Sequence, residues 1–337
     1  MTETAPEIAE DFADHPLRLT NDQVALLSPA ERTARVHDLV AWSYWLLDMV
    51  IAKETTDLGK TLVGVCVLYS GGNDSTTMAH LFKDKVTHAV HCNTGIGIEA
   101  TRQFVRDTCV DWGIPLMEEH PPEGSTFRDL VLDQGFPGPA HHYKMYQRLK
   151  ERGLMSARRR LVTHSRRERV IYLAGRRRDE SARRQSIPSH ERRGSIVYVS
   201  PMIFWTKLDM NTYRAMAGDV PHNPVTDMLH MSGECLCGSF AHENELDEIG
   251  QWMPEVKHEI EHLEAEVLAT GKFPEWQCEW GWGANKDAIK AARKSGMSDD
   301  EITALFSRKS GGLMCSSCDA RAAGLDMEVV VRPQEAL

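Results

Sequence analysis

Residues Val63 to Phe82 read VGVCVLYSGGNDSTTMAHLF. The stretch opens on an apolar run rich in β-branched residues, Val63 to Tyr69, which has the character of a buried parallel strand. It breaks at Ser70-Gly71-Gly72-Asn73-Asp74-Ser75, then resumes as a helix offering Met78, Ala79, Leu81 and Phe82 for packing. Strand, glycine-rich turn and helix in succession point backbone N–H groups at an anion. Gly71 and Gly72 permit positive φ and close approach of a phosphate, and Asp74 or Ser75 can cap the helix. The spacing is neither that of a Walker loop nor that of a dinucleotide-binding turn.

On either side, hydrophobic periodicity lays out an α/β pattern. A helix is expected from Ala30 to about Lys53, with Val36, Leu39, Val40, Tyr44, Leu47 and Val50 on one face. A second strand follows at Thr87–Cys92, a helix from about Glu99 to Trp112, a third strand at 115–118, and further strands at Val170–Ala174 and Ile196–Val199. Strand and helix in alternation predict a doubly wound, mostly parallel sheet, with ligands at the carboxyl ends of its strands. Residues 1–30 read as a flexible lead-in, 31–230 as the α/β domain, and 231–337 as a helical, cysteine-rich region.

The chain has 337 residues, a hydrophobic content of 42% and a formal charge of -10, ordinary for a globular protein. No run of about 18 apolar residues suggests a membrane span, and the acidic start lacks the pattern of a secretory signal, so a cytoplasmic protein without membrane partners is expected. The charge is uneven. From Lys144 to Arg193 there are 15 arginines and 2 lysines against 5 acidic residues. Such a segment suits phosphates or nucleic acid, or else forms a solvated helical face with a few nucleotide contacts.

The turn Ser70-Gly71-Gly72-Asn73-Asp74-Ser75 resembles the PP-loop of the ATP pyrophosphatase and phosphoadenylyl-sulfate (PAPS) reductase superfamily, adenine nucleotide alpha hydrolase-like proteins. Asn73 stands where many PAPS reductases carry Lys. Thr94-Gly95 matches the pair that ends the family's second strand. Gly175-Arg176-Arg177-Arg178-Asp179-Glu180-Ser181 with Arg184 resembles its Gly-x-Arg-x-x-Glu-Ser-x-x-Arg segment, and Asn223-Pro224-Val225 resembles its Asn-Pro-Leu. The resemblance implies a nucleotide site built from Ser70, Gly71, Gly72, Asn73, Asp74, Ser75, Thr94, Gly95, Gly175, Arg178, Ser181 and Arg184. It implies catalytic roles for Asp74, Ser75, Arg176 and Glu180, and a substrate-anion contact through Lys144 and Arg148 on the helix that follows His141-His142.

Five cysteines cluster late: Cys235 and Cys237 as C-x-C, Cys278 among tryptophans, and Cys315 and Cys318 as C-x-x-C. Thiolates at such spacing can chelate one soft metal centre, a [4Fe–4S] cluster in preference or Zn²⁺. Cys66, Cys92 and Cys109 read as small buried apolar residues. The C-terminal Glu-Cys-Gly-Leu-His tail of thioredoxin-dependent PAPS reductases has no counterpart at the end of this chain. The combined expectation is a PP-loop enzyme that binds ATP (or PAPS) with Mg²⁺. It would adenylylate an acceptor, DNA, tRNA or a small molecule, and pass sulfur to it with a cysteine-bound cluster and a sulfur-donor protein. The rivals are a sulfonucleotide reductase, and a nucleotide- or nucleic-acid-binding module with structural zinc.

Overall fold

A computed structural model describes residues 15–181 and 184–306. The described residues fall into two compact units. One comprises the chain up to Phe127 together with Lys144–Leu236, and the other comprises Arg128–Tyr143 together with the chain from Cys237.

The first unit is an α/β fold around a six-stranded, mostly parallel sheet. Its strands are β1 (Thr61–Leu68), β2 (His88–Cys92), β3 (Leu116–Glu119), β4 (Glu168–Leu173), β5 (His190–Arg193) and β6 (Ile196–Val199), in the spatial order β3-β2-β1-β4-β6-β5. β1 is parallel to both β2 and β4, and β4 to β6; only β5 runs antiparallel, along the edge. The chain therefore winds outward from β1 to β3 and restarts on the other side at β4. That reversal opens a crevice outside the carboxyl ends of β1 and β4, where doubly wound sheets bind ligands.

Nearly continuous apolar runs make the central strands, because both faces are covered. Val65, Val67, Ile171 and Leu173 pack into one buried cluster, and Cys66, Val90, Val170 and Tyr172 into another. The first cluster is closed by α2 (Pro29–Ile51), which starts at Ser28 with a capping box to Glu31 and buries Val36, Leu39, Leu46, Leu47 and Val50. The expectation of a loose lead-in through residue 30 needs correction where the chain is described. Asn21–Ala25 form a short helix, α1, closed by a Thr20–Gln23 capping box. Residues 1–14 lie outside the described residues.

The remaining elements of this unit are α3 (Asn73–Leu81), α4 (Glu99–Asp111), α6 (His142–Tyr146), α7 (Arg152–Leu161), α8 (Lys207–Ala217) and α9 (Pro224–Leu229), with a wide π-type turn over Gln147–Glu151 joining α6 to α7. A buried ion pair, Arg35 to Asp209 at 2.9 Å, ties α2 to α8. α5 (Phe127–Gln134) leads into the second unit, which is helical, with α10 (Glu245–Trp252), α11 (Pro254–Ala269), α12 (Lys286–Lys294) and α13 (Asp299–Phe306). Trp276, Ile289, Ala292 and Ile302 form its small core. No described helix is long and apolar enough to cross a membrane.

Candidate functional site

β1 delivers the chain to the turn, whose shape is fixed by its glycines, by Ser75 and by Asn223. Gly71 has φ +75°, and a Cβ there would stand 2.9 Å from Thr101 Cγ2, so both conformation and space require glycine. Gly72 is extended at φ -78° and is itself the N-cap of α3, so neither Asp74 nor Ser75 caps the helix. Ser75 instead braces the loop from within: its Oγ donates to the Gly72 carbonyl at 3.0 Å, accepts from Ser70 N–H at 3.3 Å, and meets Ser70 Oγ at 3.0 Å. From outside, Asn223 Nδ2 donates to the Gly71 carbonyl at 2.9 Å and to Thr101 Oγ1 at 3.0 Å. The first N–H groups of α3 have no acceptor within the helix and carry its positive dipole end.

These groups open on a cleft of about 540 Å³ beyond β1 and β4. Ser70, Gly72, Asn73, Asp74 and Ser75 line one wall, and Gly175, Arg176, Glu180 and Arg184 line another. Gly175 lets the two walls meet, since a Cβ there would lie 3.3 Å from the Asp74 carbonyl and from Ser75 N. The charge on the walls is lopsided. Lys150, Arg176, Arg177, Arg184, Lys207 and Arg214 face three carboxylates, Asp74, Glu180 and Glu234. Each carboxylate takes one cation: Arg177 Nε donates to Asp74 Oδ2 at 2.8 Å, Lys150 Nζ to Glu234 Oε2 at 2.6 Å, and Arg184 pairs with Glu180. Arg176, Lys207 and Arg214 make no ion pair among the described residues; Glu191 and Asp227 act on Arg176 and Arg214 only at longer range. Arg176 Nε and Nη2 and Arg214 Nη1 are buried with no hydrogen-bond acceptor, a costly arrangement that an anion in the cleft would relieve.

Burial shapes the titration of these groups. It lowers the Arg176 and Arg214 guanidiniums from their usual range. Burial, and secondarily the charge of Asp74, raises the Glu180 carboxyl. At Lys150 burial acts downward but is outweighed by Glu234 and by the neighbouring Cys235, so the ammonium is held above its ordinary value.

Several sequence-predicted residues stand elsewhere. Gly71 lies behind the loop and does not line the cleft. Thr94 is fully buried and its hydroxyl donates to the carbonyls of Ile96 and Glu234, both at 3.1 Å. Gly95 turns at φ +77° with its N–H on Asn93 Oδ1. Both residues shape a loop and leave the cleft to others. Arg178 points away, donating through Nε and Nη2 to the Ile187 carbonyl at 3.1 and 2.9 Å over the Phe204 ring. Ser181, Lys144 and Arg148 are likewise absent from the walls. Sequence reasoning missed five charged residues of the walls, Lys150, Arg177, Lys207, Arg214 and Glu234. Lys150 was concealed by the π-type turn, which shifts the face presented by residues spaced four apart.

Three of the five late cysteines are among the described residues. Cys235 belongs to the first unit, while Cys237 and Cys278 belong to the second. Cys237 Sγ lies 3.3 Å from Ser239 Oγ, and Cys278 Sγ donates to the Pro274 carbonyl at 3.5 Å. Among the described residues no three His, Cys, Asp or Glu side chains are placed to hold a metal ion. Cys315 and Cys318 lie outside the described residues. The described residues thus include three of the five cysteines expected to hold a [4Fe–4S] or zinc centre, and no chemistry is assigned to one. Cys66, Cys92 and Cys109 are buried and free, and desolvation pushes each thiol up to about 12.

The phosphoadenosine phosphosulfate reductase domain model matches residues 64–234, half of the chain and nearly all of the unit that holds the cleft. The chain belongs to the phosphoadenosine phosphosulfate reductase domain family. No curated protein matches it in sequence. Among solved structures, phosphoadenylyl-sulfate reductase from Candida auris in a phosphate complex is 16% identical, with 67% of this chain and 93% of that one covered at a TM-score of 0.40. FMN adenylyltransferase from Candida glabrata is 9% identical, covering 63% and 66% at 0.42. A U34-tRNA thiolase from Methanococcus maripaludis with its [4Fe-4S] cluster is 15% identical, covering 67% and 78% at 0.30. At these scores the likenesses carry no argument about chemistry. What distinguishes this member of the family is read from its own cleft.

Proposed function

We propose that this chain is a nucleotide-dependent enzyme of sulfur chemistry, which binds ATP in the PP-loop cleft and activates an acceptor by adenylylation. An acceptor oxygen attacks the α-phosphorus, the bond to the bridging oxygen breaks, and pyrophosphate leaves with that electron pair. The adenylylated acceptor then exchanges AMP for a sulfur nucleophile supplied by a donor. The observation that carries this reading is the convergence on one cleft of the α3 N-terminus and the unsatisfied guanidinium nitrogens of Arg176 (Nε, Nη2) and Arg214 (Nη1). Fixed N–H groups and guanidiniums stabilise charge that develops on phosphate oxygens. Arg177 fixes the Asp74 carboxylate at the rim of the loop. One carboxylate beside phosphate oxygens and water is a donor set that suits Mg²⁺; Asp74 would hold the ion, which when bound would neutralise phosphate charge.

A second reading, sulfonucleotide reduction, is favoured by one feature. Cys235 adjoins the cleft-lining Glu234 and lies close enough to Lys150 for their charges to interact. A Cys235 thiolate would attack the sulfonate sulfur of a sulfonucleotide, releasing the nucleotide. A second thiol would then form a disulfide and free sulfite.

The experiment is a pair of assays on the full chain, pyrophosphate release from ATP with candidate acceptors and sulfite release from PAPS with a dithiol. Pyrophosphate release that Asp74→Asn abolishes supports adenylylation. Sulfite release that Cys235→Ser abolishes supports reduction and removes the first reading.

A further inference from the structure

Among the described residues, His230 is the one residue other than glycine with positive φ, at +54°. It closes α9 in the left-handed conformation, with its N–H on the Thr226 carbonyl at 3.1 Å. That place at a helix end usually falls to glycine, which adopts it without strain. A side chain kept there against strain points to a use for the side chain.

The His230 ring lines the PP-loop cleft. Contacts to the loop set its position from both flanks. Before it, Asn223 holds the Gly71 carbonyl, and Thr226 Oγ1 donates to Asn73 Oδ1 at 3.4 Å. After it, Ser232 packs on Gly72, so that a Cβ on the glycine would lie 3.2 Å from the serine Cβ, and the Ser232 carbonyl accepts from Thr101 Oγ1. The imidazole therefore stands at the rim of the phosphate-binding turn. It is exposed, and the ring makes no hydrogen bond or ion pair among the described residues.

An acceptor oxygen that attacks the α-phosphorus must lose its proton, unless it is already an anion. The carboxylates of the cleft are poorly placed to take it. Asp74, Glu180 and Glu234 each hold a cation, and a carboxylate tied to a cation is a weak base. Glu180 is the strongest rival, since burial raises its carboxyl, but Arg184 engages its oxygen. The charged groups on the elements around His230 are Lys207 and Arg214 on α8, Asp227 on α9, Asp74 on the loop and Glu234 on its own segment. Histidine is the residue type that exchanges a proton near neutral pH. His230 is the one histidine among the described residues that line the cleft.

We infer that His230 is the general base of the adenylylation step, and that the acceptor attacks through an oxygen that carries a proton, a hydroxyl rather than a carboxylate. The imidazole takes that proton as the bond to the α-phosphorus forms, and pyrophosphate leaves with the electron pair of the broken bond. The inference rests on the adenylylation reading and adds the chemical class of the acceptor.

The test measures pyrophosphate release from ATP with Mg²⁺ by the full chain, with water, glycerol or acetate as the acceptor probe, beside ATP affinity and thermal unfolding. His230→Gly relieves the strain, so the unfolding midpoint should be no lower and ATP affinity unchanged. Release with water or glycerol should nevertheless fall by about 10²-fold. Added imidazole should restore much of that rate, and His230→Asn, which tolerates the left-handed backbone, should be as slow as the glycine variant. A loss that imidazole leaves unrepaired, a loss found in Glu180→Gln in place of His230→Gly, or release stimulated by acetate and not by glycerol would overturn the proposal. A wild type that binds ATP and releases no pyrophosphate would count against the adenylylation reading itself. Wild-type release that His230→Gly leaves intact would remove His230 alone.

Discussion

Arg177 Nε donates to Asp74 Oδ2 across 2.8 Å, joining the segment after β4 to the first turn of α3. Arg177 is 8% exposed and Asp74 26%, so the pair is shielded on one side and open to the cleft on the other. Asp74→Asn keeps the size of the side chain and removes its charge, leaving Arg177 without a counter-ion. Pyrophosphate release should fall by about 10²-fold or more, a loss larger than any that the stability cost of the stranded Arg177 brings. Activity within a few-fold of wild type would take Asp74 out of the mechanism.

The loop's geometry predicts a stability effect at Gly71. Alanine there must adopt φ +75° and place its Cβ 2.9 Å from Thr101 and 3.0 Å from Val105. Strain and overpacking together should cost about 1–3 kcal/mol in urea unfolding. Nucleotide affinity should drop with it, because the same turn aims the N–H groups of α3.

Lys150 and Glu234 form a partly buried pair, 31% and 5% exposed, at 2.6 Å. Lys150→Met strands a buried carboxylate and should destabilise by about 3 kcal/mol. Adding Glu234→Leu should return much of that loss. A double-mutant cycle showing simple additivity would mean that the two charges are not coupled.

Glu118 gives a pH dependence. It accepts from Arg106 Nε and Nη2, each at 2.8 Å, and from Asn93 Nδ2 at 2.8 Å. Chiefly through Arg106, its carboxyl is lowered to about 2. A folded-state value below the unfolded one means that the ionised form stabilises the fold. That contribution is complete above the ordinary carboxylate range and fades as pH falls from about 4.5 toward 2. Between those limits Glu118→Gln should lose less stability than wild type; parallel acid-unfolding curves would contradict the assignment.

How much of this was legible in the sequence follows from local chemistry. An apolar run meeting two glycines announces β1, the turn and α3 because each segment's own composition dictates its state. β5 was illegible. His190-Glu191-Arg192-Arg193 shows no apolar alternation, and it is a strand because β6 offers it an edge to pair with. The choice among Arg176, Arg177 and Arg178 was equally hidden. Three arginines in an irregular turn have no period, and tertiary contacts alone send one to Asp74, one to Ile187 and one into the cleft. Asn223 was visible as a family-like residue, but its grip on the Gly71 carbonyl links positions far apart in sequence.

The most direct test of the account titrates ATP with Mg²⁺ into the full chain while amide hydrogen exchange is followed residue by residue. The account predicts saturable binding with slowed exchange concentrated at residues 70–75 and 175–177, and loss of that protection in Arg176→Ala. Absence of binding by ATP and PAPS alike at millimolar concentration, or protection confined to the helical second unit, would contradict it.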